Sequence, residues 1–122
     1  MIIQASAENY LEAILVLSKK KSNVRAVDIA QHMNFSKPTI SIAMKQFREN
    51  GYIDIDSNRH ITLTEKGAEI ATRTHERHNL IASLLIKIGV DEETAFADAC
   101  KIEHCISEES FNCLKAYYSK YI

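Results

Sequence analysis

Apolar residues recur at helical spacing in three stretches of the first half of the chain, and then at strand spacing. The stretch SAENYLEAILVLSKK carries apolar side chains three or four residues apart, which predicts an amphipathic helix that ends at a run of lysines. RAVDIAQHMNF predicts a short second helix. SKPTISIAMKQFREN predicts a third, with Ser36 as its N-cap, Pro38 in its first turn and Gly51 just past its end. YIDID and HITLT alternate apolar and polar residues around the turn SNR, which predicts a β-hairpin.

Two short helices joined by MNFS and followed at once by a hairpin form a winged helix-turn-helix pattern. The second half predicts a long helix from Glu65 to about Ile88, a helix over DEETAFADACKIEHCI and a last helix over SFNCLKAYYSKYI. We therefore expect a mainly α fold, with an N-terminal winged helix-turn-helix domain that carries a small β-hairpin wing (residues 1–64) and a C-terminal helical domain (residues 65–122). A generic helical bundle with a hairpin is the alternative.

The charge distribution points to an anionic partner for the first half only. The net charge is −1, which is not the overall signature of a nucleic-acid-binding protein. Between Ser18 and Arg48, however, seven basic residues stand against one acid, Asp28. This asymmetry predicts a basic N-terminal half that contacts an anion and an acidic C-terminal half with another role.

A recognition helix in the major groove of double-stranded DNA would present its first turn to the bases. The residues predicted to contact bases, or to lie among those that do, are Ser36, Lys37, Pro38, Thr39 and Ser41. Those predicted to contact phosphates are Arg25, Lys45 and Arg48. At the wing tip, Arg59 is predicted to reach either a minor groove or the phosphates. Each lysine is equally well explained as a solvated surface charge.

A single module with so little positive charge would bind DNA weakly, so we expect a homodimer on a palindromic operator. The last helices support this expectation, because they carry more large apolar residues than short helices can bury alone. These residues are Phe96, Ile102, Ile106, Phe111, Leu114 and Tyr118.

The stretch ACKIEHC holds a thiol, a carboxylate and an imidazole within five residues. On a helix, Cys100, Glu103 and His104 are at i, i+3 and i+4, so their side chains would leave from one face. Taken alone, the triplet is more often an ordinary helix face than a metal site.

The cysteine content and the N-terminus predict the cellular compartment. Three cysteines form no CxxC pair, and the N-terminal residues lack the features of a signal peptide or a membrane span. We therefore expect a reduced, cytoplasmic protein with no membrane partner, in which Cys105 and Cys113 pack between helices.

Several stretches together resemble the diphtheria-toxin-repressor and manganese-transport-regulator family of metal-dependent transcriptional repressors. They are ENYLEAI, VRAVDIAQHMNFSKPTISIAMKQFRENGYI, ITLTEKGAEIA, RHNLIASLL, IGVDEE and ACKIEHCIS. The resemblance covers nearly the whole chain. It implies that residues 65–122 form a metal-binding and dimerisation domain and that a divalent metal acts as corepressor. The sequence ends at Ile122, so we expect the short form of the family, without an SH3-like domain.

The resemblance also implies a ligand set: Asn9, Glu12, His78, Cys100, Glu103 and His104. Position 9 departs from both branches of the family, and Ala82 stands where the iron branch has an ancillary-site glutamate. Cys100 matches the iron branch, whereas the manganese branch has glutamate there. Because soft thiolates suit Fe(II), Co(II) or Zn(II) better than Mn(II), we expect Fe(II) as cofactor, Mn(II) next, and Zn(II) or Co(II) in vitro.

The expected function is a repressor of metal uptake or homeostasis genes whose operator binding a divalent metal activates. The alternative is a metal-independent winged-helix regulator in which the cysteine, glutamate and histidine are relict or structural. A small metalloenzyme is a third class, but the sequence has no glycine-rich phosphate loop and no nucleophile elbow. We therefore expect no enzymatic activity and no small-molecule substrate.

Overall fold

A computed structural model describes residues 5–121 of the chain. In this range the elements are α1 (Ala5–Lys20), α2 (Ala26–Met33), α3 (Lys37–Glu49), β1 (Ile53–Ile55), β2 (Ile61–Leu63), α4 (Glu65–Lys87), α5 (Glu92–Ile102) and α6 (Glu108–Tyr121). This order confirms the predicted mainly α fold with a hairpin wing after the third helix.

The described chain divides into two compact units, the first ending at Arg73 and the second beginning at Thr74, so the division falls within α4. The domain boundary between residues 64 and 65 stays a prediction, and its ranges reach residues 1–4 and 122, which lie outside the described residues. None of the described helices combines the length and the apolar run that a bilayer crossing requires.

The core of the first unit joins the apolar faces of α1, α2 and α3 to the hairpin. Leu11, Ile14, Ile29 and Ile40 are fully buried there, and Phe47 is 1% exposed. Leu11 and Ile14 are three residues apart and Ile40 and Phe47 are seven apart, so each pair lies on one side of its helix. The hydrophobic face therefore fixes which side of α3 is left for solvent.

Two residues define the turn of the helix-turn-helix, one at the end of α2 and one at the start of α3. Asn34 follows α2 in the left-handed conformation, with φ 58°, which asparagine tolerates better than most residues. Ser36 then caps α3, since its hydroxyl accepts a hydrogen bond from the Thr39 amide at 3.3 Å. Asn34 therefore ends α2 and Ser36 begins α3, with a short turn between the two helices.

The wing is a two-stranded antiparallel hairpin in which Ile53 pairs with Leu63 and Ile55 with Ile61. Its tip is ordered by Asp56, whose carboxylate accepts the backbone N–H of both His60 and Asn58. The His60 hydrogen bond is the main reason that the pKa of Asp56 lies below its usual value.

Gly67 permits a close approach between α4 and the hairpin. A Cβ atom at this position would lie 2.0 Å from the carbonyl oxygen of Tyr52. The same contact region is held by Thr64, whose hydroxyl accepts the Gly67 amide at 3.2 Å and donates to the Gly51 carbonyl at 2.7 Å. Only glycine fits where α4 begins.

In the second unit α4 and α5 pack through small residues. Ala82 and Ala99 are fully buried, and Ile81 completes the cluster at 4% exposed. Because neither alanine extends beyond Cβ, the two helices can approach closely, which brings their functional side chains together.

The prediction of one helix running to Ile106 was wrong, because α5 ends at Ile102. Glu103 is the C-cap residue, and its amide still donates to the Ala99 carbonyl in the helical pattern. The amide of Cys105 instead donates to Ile102, three residues back, at 2.9 Å. The chain therefore leaves the helix in a turn over residues 103–106.

Replacing Asp28 tests the start of α2. Its carboxylate accepts the Arg25 amide and the Lys21 ammonium, each at 2.9 Å, and these contacts lower the pKa of Asp28 below 3.8. We expect Asp28→Ala to lower the free energy of unfolding by about 1 kcal/mol at neutral pH. The exposed Glu69→Ala should leave it nearly unchanged.

The lowered pKa of Asp28 also predicts how the stability difference between the wild type and Asp28→Ala changes with pH. A carboxyl group with a lowered folded-state pKa stabilises fully above its unfolded pKa, and that contribution disappears as the pH falls through the folded value. Chemical denaturation of the wild type and Asp28→Ala should therefore give converging stabilities in acid. A difference that stays constant into acid would contradict the assignment.

Candidate functional site

The centre of the second unit is the carboxylate of Glu103, a residue that is 1% exposed. Its Oε2 lies 3.2 Å from Nδ1 of His78, and its Oε1 lies 3.2 Å from Nε2 of His104. An ionised carboxylate taken out of water is costly unless polar or cationic partners surround it. The two imidazoles supply those partners, one for each oxygen.

Cys100 adds a third kind of donor to this centre. One donor atom each from His78, Cys100 and Glu103 lies within 4.8 Å of the other two. Ligands bound to one transition-metal ion at about 2.0–2.3 Å can be at most about 4.6 Å apart. The three donors therefore fit a single divalent ion after a shift of a few tenths of an ångström, and a set of nitrogen, sulfur and oxygen suits a first-row transition metal.

Two helices, α4 and α5, position these donors. His78 projects from α4, and its ring packs against that of Phe96 on α5, with centroids 5.5 Å apart. Cys100 lies in the last turn of α5, and Glu103 follows as its cap. The side chains of these two residues lie close together, as their i, i+3 spacing predicted. Ala82 on α4 and Ala99 on α5 belong to one buried apolar cluster, so the two helices that carry these donors meet in the same unit.

His104 does not share the helix face that its i+4 spacing predicted, because the helix has already ended. It lies in the turn after α5 and contacts Glu103 instead of joining the three-donor group. Its ring is well shielded, with 7% of the side chain exposed.

Asn9 and Glu12 lie on α1, in the first unit, three residues apart and both half-buried. This spacing places the two side chains on one face of α1. The predicted role of these two residues as ligands stays a prediction, like that of His78, Cys100, Glu103 and His104.

The prediction that Cys105 and Cys113 pack between helices was wrong, because both are exposed. Cys105 follows the end of α5 and Cys113 lies on the solvent side of α6. Cysteine is buried more often than not, and that average tendency misled the expectation at these two positions.

In the first unit a groove of about 540 Å³ lies beside the recognition helix, α3. Its charged lining residues are all basic: Arg25, Lys37, Lys45, Arg48 and Arg59. Ser41 also faces the groove, and Met44 and Ile61 are among its apolar lining residues. The groove thus unites all five predicted phosphate- or base-contacting cations, which come from the N-cap of α2, from α3 and from the wing.

The other predicted DNA-contacting residues lie at the exposed first turn of α3. Ser36 and Thr39 are engaged with each other there, with their hydroxyl oxygens 2.8 Å apart, and Pro38 is exposed beside them. Sequence reasoning missed Ile42, which is 63% exposed. Its position opposite the buried stripe of Ile40, Met44 and Phe47 was the signal that could have identified it.

Comparisons with known proteins agree with both halves of this picture. The family model "Iron dependent repressor, N-terminal DNA binding domain" matches residues 3–61, and "Iron dependent repressor, metal binding and dimerisation domain" matches residues 64–121. The chain is 33% identical over 118 residues to an uncharacterized HTH-type transcriptional regulator of Methanocaldococcus jannaschii, covering 95% of this chain and 94% of that protein.

The chain is also 31% identical over 114 residues to the transcriptional regulator MntR of Escherichia coli, covering 93% of this chain and 74% of that protein. Among solved structures, IdeR of T. acidophilum superimposes with a TM-score of 0.83 at 23% identity, which is a likeness of fold. That superposition covers 97% of this chain and 56% of the IdeR chain.

Proposed function

Because the chain belongs to the iron-dependent repressor family of metal-dependent transcriptional regulators, we propose that Fe(II), in preference to Mn(II), activates its binding to a palindromic operator. The family is one of DNA-binding, dimerising regulators and not of enzymes. The protein acts in the cytoplasm as a homodimer, with residues 1–64 binding DNA and residues 65–122 binding metal and forming the dimer. Its targets are genes for metal uptake or homeostasis.

The proposal rests on three chemically different donor groups that lie close together, one of which is a buried carboxylate. His78, Cys100 and Glu103 offer nitrogen, sulfur and oxygen within 4.8 Å. A bound divalent ion would supply the positive charge that a buried carboxylate and a thiolate require. The remaining proposed ligands are Asn9 and Glu12 from α1 and His104, which also holds the second oxygen of Glu103.

The preference for Fe(II) rests on Cys100. A thiolate binds Fe(II) more favourably than the harder Mn(II), whereas carboxylates suit both ions. Without Cys100, the proposed donors that remain are imidazoles, carboxylates and an amide. Cys100 therefore sets the preference, and Zn(II) and Co(II) are expected to bind in vitro for the same reason.

The basic groove supports the proposed mode of DNA binding. Lys37 and Ser41, near the start of α3, would reach base edges, and the other four groove cations would contact phosphates. Ile42 would offer an apolar contact to a thymine methyl group.

A metal-independent regulator is the second candidate, and one observation favours it. Both oxygens of Glu103 already face an imidazole at 3.2 Å, so the cluster could be a purely structural polar core. Operator binding under anaerobic conditions separates the two candidates, with the operator first selected from random duplexes. We expect much tighter binding with Fe(II) than in chelator, and equal binding in both would leave the metal-independent regulator.

Cys100→Glu should change the metal preference, because it replaces a soft thiolate by a hard carboxylate. We expect the ratio of Fe(II) to Mn(II) affinity to fall, measured as the free metal concentration at half-maximal operator binding. Cys113→Ser, which changes an exposed thiol on α6, is the matched control and should keep the wild-type ratio. An unchanged ratio in Cys100→Glu would contradict the role of the thiolate.

His104→Ala should reduce metal stimulation of operator binding, since it removes both a proposed ligand and the partner of Glu103 Oε1. The expected loss is about 10–100-fold in metal affinity, with the helical content retained. The exposed His32→Ala is the control for loss of an imidazole. Full metal stimulation in His104→Ala would remove this residue from the site.

The groove residues should separate into two groups by their effect on DNA binding. Lys45→Ala and Arg48→Ala should weaken binding to all duplexes and reduce the salt slope by about one for each lost phosphate contact. Lys37→Ala should instead relax operator preference, at a cost of about 1–3 kcal/mol for the specific site.

Binding of specific and random duplexes across a salt series measures both effects. Lys87→Ala, at the end of α4, provides the control. The same slope and the same specificity loss in both groups would show that the recognition face is wrongly placed.

A further inference from the structure

Arg77 precedes the proposed ligand His78 on α4 and reaches across to the turn that follows α5. One terminal nitrogen of its guanidinium, Nη1, donates to the carbonyl of Glu103 at 3.4 Å and to that of Ile106 at 3.3 Å. The same guanidinium lies 5.1 Å from the ring centre of Phe111, a residue that is 5% exposed. The guanidinium of the partly buried Arg77 therefore donates to two backbone carbonyls beside an aromatic ring.

Glu103 is the C-cap of α5 and Ile106 lies beyond it, so neither carbonyl is part of a regular helical hydrogen-bond pattern. Backbone carbonyls outside helices and sheets need other donors, and a side-chain N–H group is one of them. Glu103 and Ile106 are the first and last residues of the turn over residues 103–106. By bonding both, Arg77 ties the two ends of that turn to α4.

We propose that Arg77 is a positioning residue for the candidate metal centre, holding the turn that carries Glu103 and His104 in register with His78. This inference rests on the proposed function, because it assigns Arg77 a role through those ligands. Arg77 and His78 are adjacent in sequence, so one short segment of α4 supplies a donor atom and also fixes the backbone of a second donor. In this role the Arg77 guanidinium would position the ligands without being a ligand itself.

An arginine suits this role better than a lysine. Its planar guanidinium offers several N–H groups in a fixed fork and stacks on an aromatic face, so it can serve two acceptors while packed on Phe111. A lysine ammonium is more strongly hydrated and is less suited to a site between an aromatic ring and two carbonyls. The Nε atom of Arg77 is buried and makes no hydrogen bond within the described residues, so the fork is held by Nη1 and by stacking.

The test compares Arg77→Met and Arg77→Lys with the wild type in anaerobic Co(II) titrations. Absorption from thiolate coordination reports binding at Cys100. We expect Arg77→Met to bind Co(II) about 10–100-fold more weakly, as is typical when a partner outside the ligand shell is removed, and Arg77→Lys to be intermediate. Lys115→Met is the matched control, because it removes the Lys115–Glu76 ion pair between α6 and α4 without reaching the turn. It should keep wild-type affinity.

Hydrogen exchange of the metal-free proteins gives a second, independent readout. The amides of Cys105 and Ile106 donate to the Ile102 carbonyl within the turn, and they should exchange faster in Arg77→Met than in the wild type or Lys115→Met. If Arg77→Met does not fold, Arg77→Lys decides the question by the same two measurements.

Wild-type Co(II) affinity in a folded Arg77 variant would overturn the positioning role. An equal loss of affinity in Lys115→Met would also overturn it, because the effect would then be general stability. If the wild type itself binds none of Co(II), Fe(II) and Mn(II), the proposed function fails and this role fails with it. A failure confined to the positioning role is therefore distinguishable from a failure of the proposed function.

Discussion

The second unit depends on the burial of one carboxylate. Removing an ionised carboxyl group from water costs several kcal/mol, and close polar partners must offset that cost. Glu103 has an imidazole 3.2 Å from each oxygen, one from α4 and one from the turn after α5. The alanines at positions 82 and 99 allow the two helices to approach, so an apolar contact makes the polar cluster possible.

The two units divide the chemistry between them. The first gathers cations from three elements around one groove, although the whole chain has a net charge of −1. The second gathers imidazoles and a thiol around a buried carboxylate, which the overall composition does not reveal. Net charge was therefore a poor guide to nucleic-acid binding, whereas the local excess of basic residues before Arg48 was a good one. Long-range electrostatic attraction depends on where the charges lie and not only on their sum.

The elements that sequence reasoning predicted well are those specified by local signals. Ser36, Pro38 and Gly51 marked the ends of α3, and strict alternation marked the hairpin. The end of α5 at Ile102 had no such signal, because neither glycine nor proline follows it, and the one-face argument for His104 failed for that reason. Helix ends of this kind are decided by tertiary contacts.

The site was predictable only in part. The i, i+3 spacing of Cys100 and Glu103 was readable from the sequence, but their pairing with His78 came from a family resemblance and is a contact over more than twenty residues. The contacts of Arg77 are equally distant, at 26 and 29 residues, and no periodicity would reveal them. Ile42 was readable but overlooked, since exposed apolar residues are common and rarely carry meaning singly.

We propose that Cys100, with His78 and Glu103, holds the corepressor ion. X-ray absorption at the iron edge of the anaerobically Fe(II)-loaded protein tests it most directly, with Cys100→Ser as the comparison. We expect one sulfur neighbour among nitrogen and oxygen neighbours in the wild type, and its loss in Cys100→Ser with the nitrogen and oxygen neighbours retained. An iron centre without sulfur in the wild type, or one that keeps its sulfur in Cys100→Ser, would contradict it.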